Sequence, residues 1–242
     1  MRRCRLYLPQ PLQADSEILV EGERAHYLRT VLRLRPGTAL TVFDGEGGEY
    51  AAEIRQLDRR QVRLRIGAWH DREAESPLRV HLGLAIAKGD RMDWAVQKAT
   101  ELGVAAITPL LTEHTNVILQ ADKAERKRRH WQAVAIAACE QCGRNRVPQI
   151  ALPQPLADWL PGCRGLVLDP AGQPISSLPP PAGEPALLIG PEGGLTPAEV
   201  QQAAAAGLTP VALGPRILRV ETAAAAALTA VQLQWGDLGE GV

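Results

Sequence analysis

The sequence predicts an α/β protein with a small N-terminal β-barrel and a C-terminal domain built on a mainly parallel sheet. About the first 70 residues hold several short β-rich segments and one helical segment. The rest of the chain alternates apolar strand patterns with helical patterns, which is typical of a parallel sheet. The stretch HDREAESP, residues 70–77, interrupts the two patterns. We therefore expect domains over residues 1–72 and 76–242.

Four short strands and one helix account for the N-terminal domain. The helix is expected over about Glu23 to Leu34, ending before Pro36 and Gly37. The stretch DGEGG, residues 44–48, is a hairpin turn between two strands. Alternation or β-branched residues predict strands at 5–8, 38–43, 49–54 and 61–66.

The C-terminal domain is expected to alternate strands and helices. Asp90 is the expected N-cap of a helix over 90–102, closed by Gly103. A second helix is expected over about 122–141. Strands are expected at 80–87, 105–111, 165–169, 185–189 and 210–213.

Two stretches near the C-terminus indicate one composite ligand pocket. LLIGPEGGLT, residues 187–196, and LGPRILRVETA, residues 213–223, each lead from an apolar strand through a Gly/Pro bend to a helix start. Such bends expose backbone N–H groups to a ligand. The alternative is a structural turn, because Gly/Pro turns between strands and helices occur in many proteins without a ligand.

The helix after the first bend has clear end signals. Thr196 is the expected N-cap, Pro197 occupies the first helical position, and Glu199 completes a capping box. Gly207 is the expected C-cap. The bends match neither a P-loop nor a G-x-G-x-x-G turn, which disfavours ATP and NAD as ligands.

The amino-acid composition limits the classes of protein to which the chain can belong. With 242 residues, 45% of them apolar, the chain can form a proper core. Lysine plus arginine number 27, as do aspartate plus glutamate, so any RNA contact must come from local basic clusters. Neither a signal-peptide core nor a membrane-length apolar run is present, which predicts a cytoplasmic protein.

The four cysteines predict free thiols and no metal. They are too few and too unevenly spaced for a disulfide framework. Cys139 and Cys142 form a single CxxC motif at the expected C-terminal end of a helix, where neither a zinc site nor an activated thiolate is expected.

IGPEGGLT together with LGPRILRVETA closely resembles the cofactor-binding motifs of the SPOUT class of RNA methyltransferases. Within that class the chain resembles the RsmE family, through KGDRMDW (88–94), QKATELGV (97–104) and AACEQCGRN (137–145) as well. The resemblance covers essentially the whole chain. It implies S-adenosylmethionine as cofactor, methylation of N3 of a uridine in 16S ribosomal RNA, a PUA-like barrel, a C-terminal trefoil knot and a homodimer.

The resemblance also implies site residues. The substrate is expected to be 16S rRNA or the assembled small ribosomal subunit. The predicted cofactor-binding residues are Leu188, Ile189, Gly190, Gly194, Leu213, Gly214, Ile217 and Leu218. The predicted catalytic residues are Arg5, Glu140, Arg144, Arg219 and Glu221.

The chemistry of methylation at N3 does not decide which residue is the general base. Arginine is a planar, permanently charged donor, so Arg144 and Arg219 are expected to hold phosphate or a uracil carbonyl oxygen. Either Glu140 or Glu221 is a hypothetical acceptor of the N3 proton, if burial raises its pKa. The alternative for Glu221 is stabilisation of its own helix dipole, and for Arg144 a helix C-terminal cation.

RNA contacts are predicted at the start of the barrel and on its helix. Arg29 and Arg33 are four residues apart, so one helix would present both on the same face. The alternative is a solvated basic face, and for His26 a merely packed or exposed side chain. The predicted RNA-binding residues are Arg2, Arg3, Arg5, His26, Arg29, Arg33 and Arg216.

Two other functions remain open from the sequence. One is a non-catalytic RNA-binding or ribosome-assembly factor with the same fold. The other is a SPOUT methyltransferase that acts on another RNA base.

Overall fold

The computed structural model describes residues 4–115 and 121–239. These residues form two compact units. Unit 1 comprises residues up to Glu75 together with Cys139–Arg146, and unit 2 comprises Ser76–Ala138 and the residues from Val147 onward. The predicted RNA-binding residues Arg2 and Arg3 lie outside the described residues. Unit 1 therefore includes an eight-residue stretch that the sequence pattern assigned to the second domain.

Unit 1 is a five-stranded sheet. Its strands are β1 (Arg5–Tyr7), β2 (Glu17–Glu21), β3 (Ala39–Phe43), β4 (Glu49–Leu57) and β5 (Gln61–His70). The order is β1-β3-β4-β5-β2, with β1 parallel to β3 and the other pairs antiparallel. Alternate residues of β5, namely Val62, Leu64 and Ile66, are fully buried. Four of these strands match the prediction, whereas β2, whose five residues begin and end with glutamate, was not predicted.

The helical segment of unit 1 differs from the predicted single helix. A short helix α1 (Gly22–His26) passes into a π-helical turn over Tyr27–Val31. Arg33 follows that turn with φ +51. The prediction that Arg29 and Arg33 share one helical face is therefore wrong, because the α-helical spacing on which it depends ends before Arg33.

Unit 2 contains a seven-stranded sheet. The strands are β6 (His81–Ala85), β7 (Ala106–Leu111), β8 (Gln149–Ile150), β9 (Gln154–Pro155), β10 (Gly165–Pro174), β11 (Ala186–Ile189) and β12 (Leu208–Ala212). Their order is β12-β10-β11-β6-β7-β8, with β9 also paired to β7. Every pair is parallel. The predicted mainly parallel sheet is confirmed, although β8 and β9 were not predicted.

Five helices accompany this sheet. They are α2 (Arg91–Glu101), α3 (Ala121–Cys142), α4 (Leu156–Trp159), α5 (Pro197–Ala206) and α6 (Val220–Trp235). The last turn of α3 falls within the stretch assigned to unit 1. The predicted helices correspond to α2, α3, α5 and α6, whereas the single-turn α4 was not predicted. Among the described residues, none of the helices is long and apolar enough to span a membrane.

The end signals of α5 are confirmed in detail. The Thr196 hydroxyl accepts the Glu199 N–H, and the Glu199 carboxylate accepts the Thr196 N–H at 2.8 Å. Gly207 ends the helix in the left-handed conformation, with φ +113. Asp90 does precede α2, but its side chain makes no capping hydrogen bond because its backbone is already helical.

The core of unit 2 lies on both faces of the sheet. In β11, Leu187 and Ile189 belong to the cluster that contains α2 and α6 residues, whereas Leu188 belongs to a second cluster with Trp159. This is the alternation that a strand buried on both faces requires. Two small residues of α6, Ala224 and Ala227, are fully buried.

Candidate active site

A cavity of about 350 Å³ lies in unit 2, where β11 and β12 end and where β10 shifts register after Leu168. Parallel strands bring their carboxyl ends to the same edge of a sheet, which is where α/β proteins bind ligands. The loop after β11 and the loop after β12 form most of the wall. The lining residues are 168–170, 189–192, 194–195, 200, 211–218, 220 and 223.

The structure brings most of the predicted cofactor residues to this cavity. Those that line it are Ile189, Gly190, Gly194, Leu213, Gly214, Ile217 and Leu218. Leu188 does not line it, because its side chain is fully buried on the opposite face of the sheet, among Trp159 and its neighbours. A role for Leu188 in cofactor binding therefore stays a prediction that the cavity lining does not support.

Glycine is required at one point in each loop. Gly194 has φ +72 and Gly214 has φ +85, a conformation that other residues adopt only with strain. Gly194 is followed directly by the segment that leads to the Thr196 cap of α5. The capping box thus fixes where the first loop ends and the helix begins.

Three residues in the middle of β10, where its pairing with β12 shifts register after Leu168, line the cavity but were not predicted to belong to the site. They are Leu168, Asp169 and Pro170. Asp169 is held by a hydrogen bond from the Ala171 N–H to its carboxylate, at 3.0 Å. The signal was available, since the strand was predicted to end at Asp169 and the carboxyl ends of neighbouring parallel strands meet at one edge.

Glu192 lines the same cavity and is held by two donors. Its carboxylate accepts the Lys88 N–H at 3.2 Å and the Arg91 guanidinium at 2.9 Å. Burial alone would raise the pKa of Glu192, but these hydrogen bonds and the Arg91 charge lower it. Glu192 therefore stays ionised at neutral pH.

The predicted residues in and after the second loop do not all line the cavity. Arg216 and Ile217 line the cavity and are exposed, Ile217 to 80%. Arg219 is an exposed residue at the N-cap of α6 and makes no side-chain capping bond. Glu221 does not line the cavity. One of its carboxylate oxygens is buried without a hydrogen-bond partner in the part of the chain that the structure describes.

The other predicted catalytic residues belong to unit 1, where they have internal partners. Arg144 is 4% exposed and binds Glu75 through Nε at 2.8 Å and Nη2 at 2.6 Å. The Arg5 guanidinium pairs with Glu49 and also donates to the Arg144 carbonyl at 3.3 Å. These contacts are structural, so a catalytic role for either arginine stays a prediction.

Glu140 is also tied into unit 1. Its carboxylate accepts the Tyr7 N–H at 3.0 Å. Burial raises the pKa of Glu140, against the opposing effects of that hydrogen bond and of the Arg24 and Arg5 charges. The pKa direction is the one that a general base requires, but the role stays a prediction.

Of the predicted RNA-binding residues on the helical segment, His26 and Arg33 are exposed and Arg29 is half-buried. His26 lies 3.4 Å from the Thr30 hydroxyl. The Arg29 Nε is buried without a partner among the described residues.

The cysteines are free thiols, as predicted. Burial raises the pKa of the Cys139 thiol to about 12, with smaller contributions from nearby charges. The described residues contain no cluster of three histidine, cysteine or acidic side chains that would hold a metal ion.

Comparison with known proteins identifies the family of the chain. The model of the RNA methyltransferase domain matches residues 74–232, and that of the RNA methyltransferase PUA domain matches residues 20–67. Ribosomal RNA small subunit methyltransferase E from Buchnera aphidicola is 35% identical over 97% of each chain. The chain belongs to this methyltransferase family. The same-named protein from Bacillus subtilis is 32% identical over 93% of each chain.

Solved structures of the family share the fold. A methyltransferase from Legionella pneumophila, in complex with its bound cofactor SAM, is 39% identical with a TM-score of 0.94, over 98% of this chain and 100% of that one. Ribosomal RNA small subunit methyltransferase E from Neisseria gonorrhoeae, bound to S-adenosyl methionine, is 36% identical with a TM-score of 0.92, again over 98% and 100%. The resemblance drawn from the sequence motifs is confirmed.

Proposed function

We propose that this chain transfers the methyl group of S-adenosylmethionine to ribosomal RNA of the small subunit, at N3 of a uridine. The cavity at the carboxyl ends of β11 and β12 carries the proposal. Two relatives with the same fold bind S-adenosylmethionine and are 36% and 39% identical to this chain. The target atom follows from the family resemblance of the sequence.

The residues of the cavity fit this cofactor. A volume of about 350 Å³ lies within the range of small-molecule sites, and such sites combine apolar walls with a few polar groups. Leu213, Leu218 and Val211 supply apolar wall, and Asp169 and Glu192 supply negative charge that suits a cationic ligand. When bound, S-adenosylmethionine supplies a methyl carbon on a positively charged sulfur.

The remaining work of the protein is positioning and proton removal. Uridine N3 carries a proton, so methylation needs that proton removed and the resulting charge on O2 and O4 stabilised. RNA contact by Arg216, Arg33, His26 and Arg29 is part of the proposal, because net charge is zero and local basic side chains must provide the attraction. We place the reaction in the cytoplasm, on rRNA or the assembled small subunit.

A homodimer is also part of the proposal. Trp94 on α2 is 42% exposed and Leu233 on α6 is 55% exposed, and these two helices pack together in unit 2. Exposed apolar side chains on adjacent elements are typical of subunit interfaces. Light scattering at micromolar concentration is expected to give twice the chain mass, and a monomer would contradict the dimer.

The decisive experiment fills the cofactor cavity. Ala223 is 9% exposed and lines the cavity, so Ala223→Leu places a larger side chain in the ligand's space. We expect the affinity for S-adenosylmethionine to fall at least about tenfold, which is about 1.4 kcal/mol, by isothermal titration. Methyl transfer to unmodified small subunits should fall with it.

The matched control is Ala204→Leu, an equal change at an exposed position on α5. It should bind the cofactor and methylate like the wild type. Wild-type protein that binds RNA but neither binds S-adenosylmethionine nor transfers methyl would instead indicate the non-catalytic RNA binder.

A further inference from the structure

A second cavity lies beside the cofactor cavity in unit 2. Its volume is about 440 Å³, and its lining residues are Lys88, Arg91, Glu113, His114, Glu192 and Gly193. Glu192 lines both cavities, and Gly193 is the neighbour of Gly194 in the loop that walls the cofactor cavity. A molecule in the second cavity therefore lies against the wall of the first.

That shared wall is held in place by His114. Its Nδ1 lies 3.1 Å from the carbonyl oxygens of both Gly193 and Gly194. Because a carbonyl oxygen only accepts, Nδ1 must carry the proton. The side chain packs so closely on Gly193 that a Cβ there would lie 3.0 Å from the His114 Cβ. The loop between the two cavities is thus fixed from the side of the second one.

The lining is balanced in charge, with two cations and two carboxylates. The Arg91 guanidinium is neutralised by Glu192, at 2.9 Å. The Lys88 ammonium, in contrast, forms no ion pair with any residue in the described ranges 4–115 and 121–239. Lys88 is also exposed, so its ammonium is available to a ligand.

This set of groups fits a polar base better than a phosphate. A phosphate would meet the Glu113 and Glu192 carboxylates, and like charges repel. A uracil is neutral and carries two carbonyl oxygens that accept hydrogen bonds and one N–H that donates. Lys88 and Arg91 are donors, and the carboxylates are acceptors, so the cavity offers both kinds of partner.

We infer that the second cavity takes the uracil of the target nucleotide, and that Lys88 is a catalytic residue. Its ammonium donates to a uracil carbonyl oxygen and stabilises the negative charge that forms when N3 loses its proton. This inference rests on the proposed function, because the reaction at N3 comes from there. It assigns charge stabilisation to a residue outside both glycine loops.

The step balances as follows. The N3–H bond breaks and the proton passes to water, which reaches the cavity because Lys88, Glu113 and His114 are exposed. The N3 electron pair then forms a bond to the methyl carbon of S-adenosylmethionine while the carbon–sulfur bond breaks, its electron pair remaining on sulfur. The products are N3-methyluridine and S-adenosylhomocysteine.

The test measures the acidity of N3 directly. An RNA substrate carries 5-fluorouridine at the position that the wild-type protein methylates, and its ¹⁹F NMR signal is followed against pH in the complex with S-adenosylhomocysteine. In the wild-type complex we expect the acidity of N3 to rise at least about tenfold over that of the free RNA, because a nearby cation favours the anion. In Lys88→Met this rise should disappear, and in Lys88→Arg it should persist.

Two further measurements and a control variant accompany the titration. The single-turnover rate of Lys88→Met at neutral pH should fall about a hundredfold, while its affinity for S-adenosylmethionine stays within about twofold and shows an intact cofactor site. Lys123→Met makes the same change at an exposed position on α3 and should match the wild type throughout.

The outcomes separate the inference from the function on which it rests. Active wild-type protein with an equally active Lys88→Met variant and an unchanged N3 titration would overturn the inference alone. Wild-type protein that transfers no methyl would overturn the proposed function and the inference with it.

Discussion

In unit 1 the charged side chains near residues 139–146 bind one another, whereas in unit 2 those around the cavity edge stay exposed. Arg144 is paired with Glu75, and Arg5 with Glu49. At the end of β12, Arg216 and Arg219 are exposed and make no ion pair with a described residue. Arginines were predicted as site residues in both regions, but only in the second region are they exposed and available to a ligand.

The same contrast holds for two carboxylates. Burial raises the pKa of Glu140 in unit 1, even though the Tyr7 N–H and two arginines oppose it. In unit 2, burial would raise the pKa of Glu192, but the Lys88 N–H and Arg91 lower it overall. Two things differ: Glu140 is half-buried whereas Glu192 is exposed, and Arg91 donates directly to Glu192 whereas the arginines near Glu140 act only through space.

Breaking the ion pair between Arg144 and Glu75 tests the structural role of the charges in unit 1. Of the changes predicted here it should have the largest effect on stability. Arg144→Met leaves the Glu75 side chain, which is 16% exposed, without this cation, and the loss of one partner of a largely buried pair costs about 3 kcal/mol. Urea denaturation should show this as a lower midpoint. Arg126→Met, on the exposed surface of α3, should leave the midpoint unchanged.

Arg219 provides the opposite case. Because its side chain is exposed and caps nothing, Arg219→Met should change the free energy of unfolding by less than about 0.5 kcal/mol. Methyl transfer should fall nevertheless if Arg219 acts on the substrate. A stable, fully active Arg219→Met variant would remove it from the catalytic residues and weaken the contrast between the two regions.

The features that could be predicted from sequence are those whose signals are local in the chain. The capping box joins Thr196 to Glu199, three residues apart, and both glycine loops follow apolar strands directly. Strand and helix patterns likewise repeat within a few residues. This is why the parallel sheet, α5 and the two loops that form most of the cavity wall were predicted.

The features that were missed depend on contacts between distant parts of the chain. Arg144 and Glu75 are 69 residues apart, and nothing in the motif around Arg144 indicates that its partner is internal. The π-helical turn over Tyr27–Val31 has no pattern of its own and displaced Arg33 from the predicted face. Asp169 could have been found from the predicted end of its strand at residue 169, because ligand sites in parallel sheets form at the carboxyl ends of strands.

A pH titration of stability gives the smallest expected effect and sharpens the comparison of the carboxylates. The pKa of Glu140 is higher in the folded protein than in the unfolded chain, so the folded state binds the proton more tightly. The stability gained in this way is fully present below the unfolded pKa and is lost as pH rises through the folded pKa. Glu140→Gln cannot titrate. The unfolding free energy of the variant minus that of the wild type should therefore rise as pH increases from about 4, the ordinary pKa of glutamate, through the raised folded pKa.

Subtracting the wild-type curve removes the contributions of the other titrating groups to the unfolding free energy, because the two proteins share those groups. The amide oxygen of glutamine can still accept the Tyr7 N–H, so the hydrogen bond is not the variable. The matched change Glu46→Gln, at an exposed position of the hairpin turn, should give a difference that is flat with pH. An equally flat difference for Glu140→Gln would mean that its carboxyl titrates alike in both states, and Glu140 would then lose the one property that favours it as the proton acceptor.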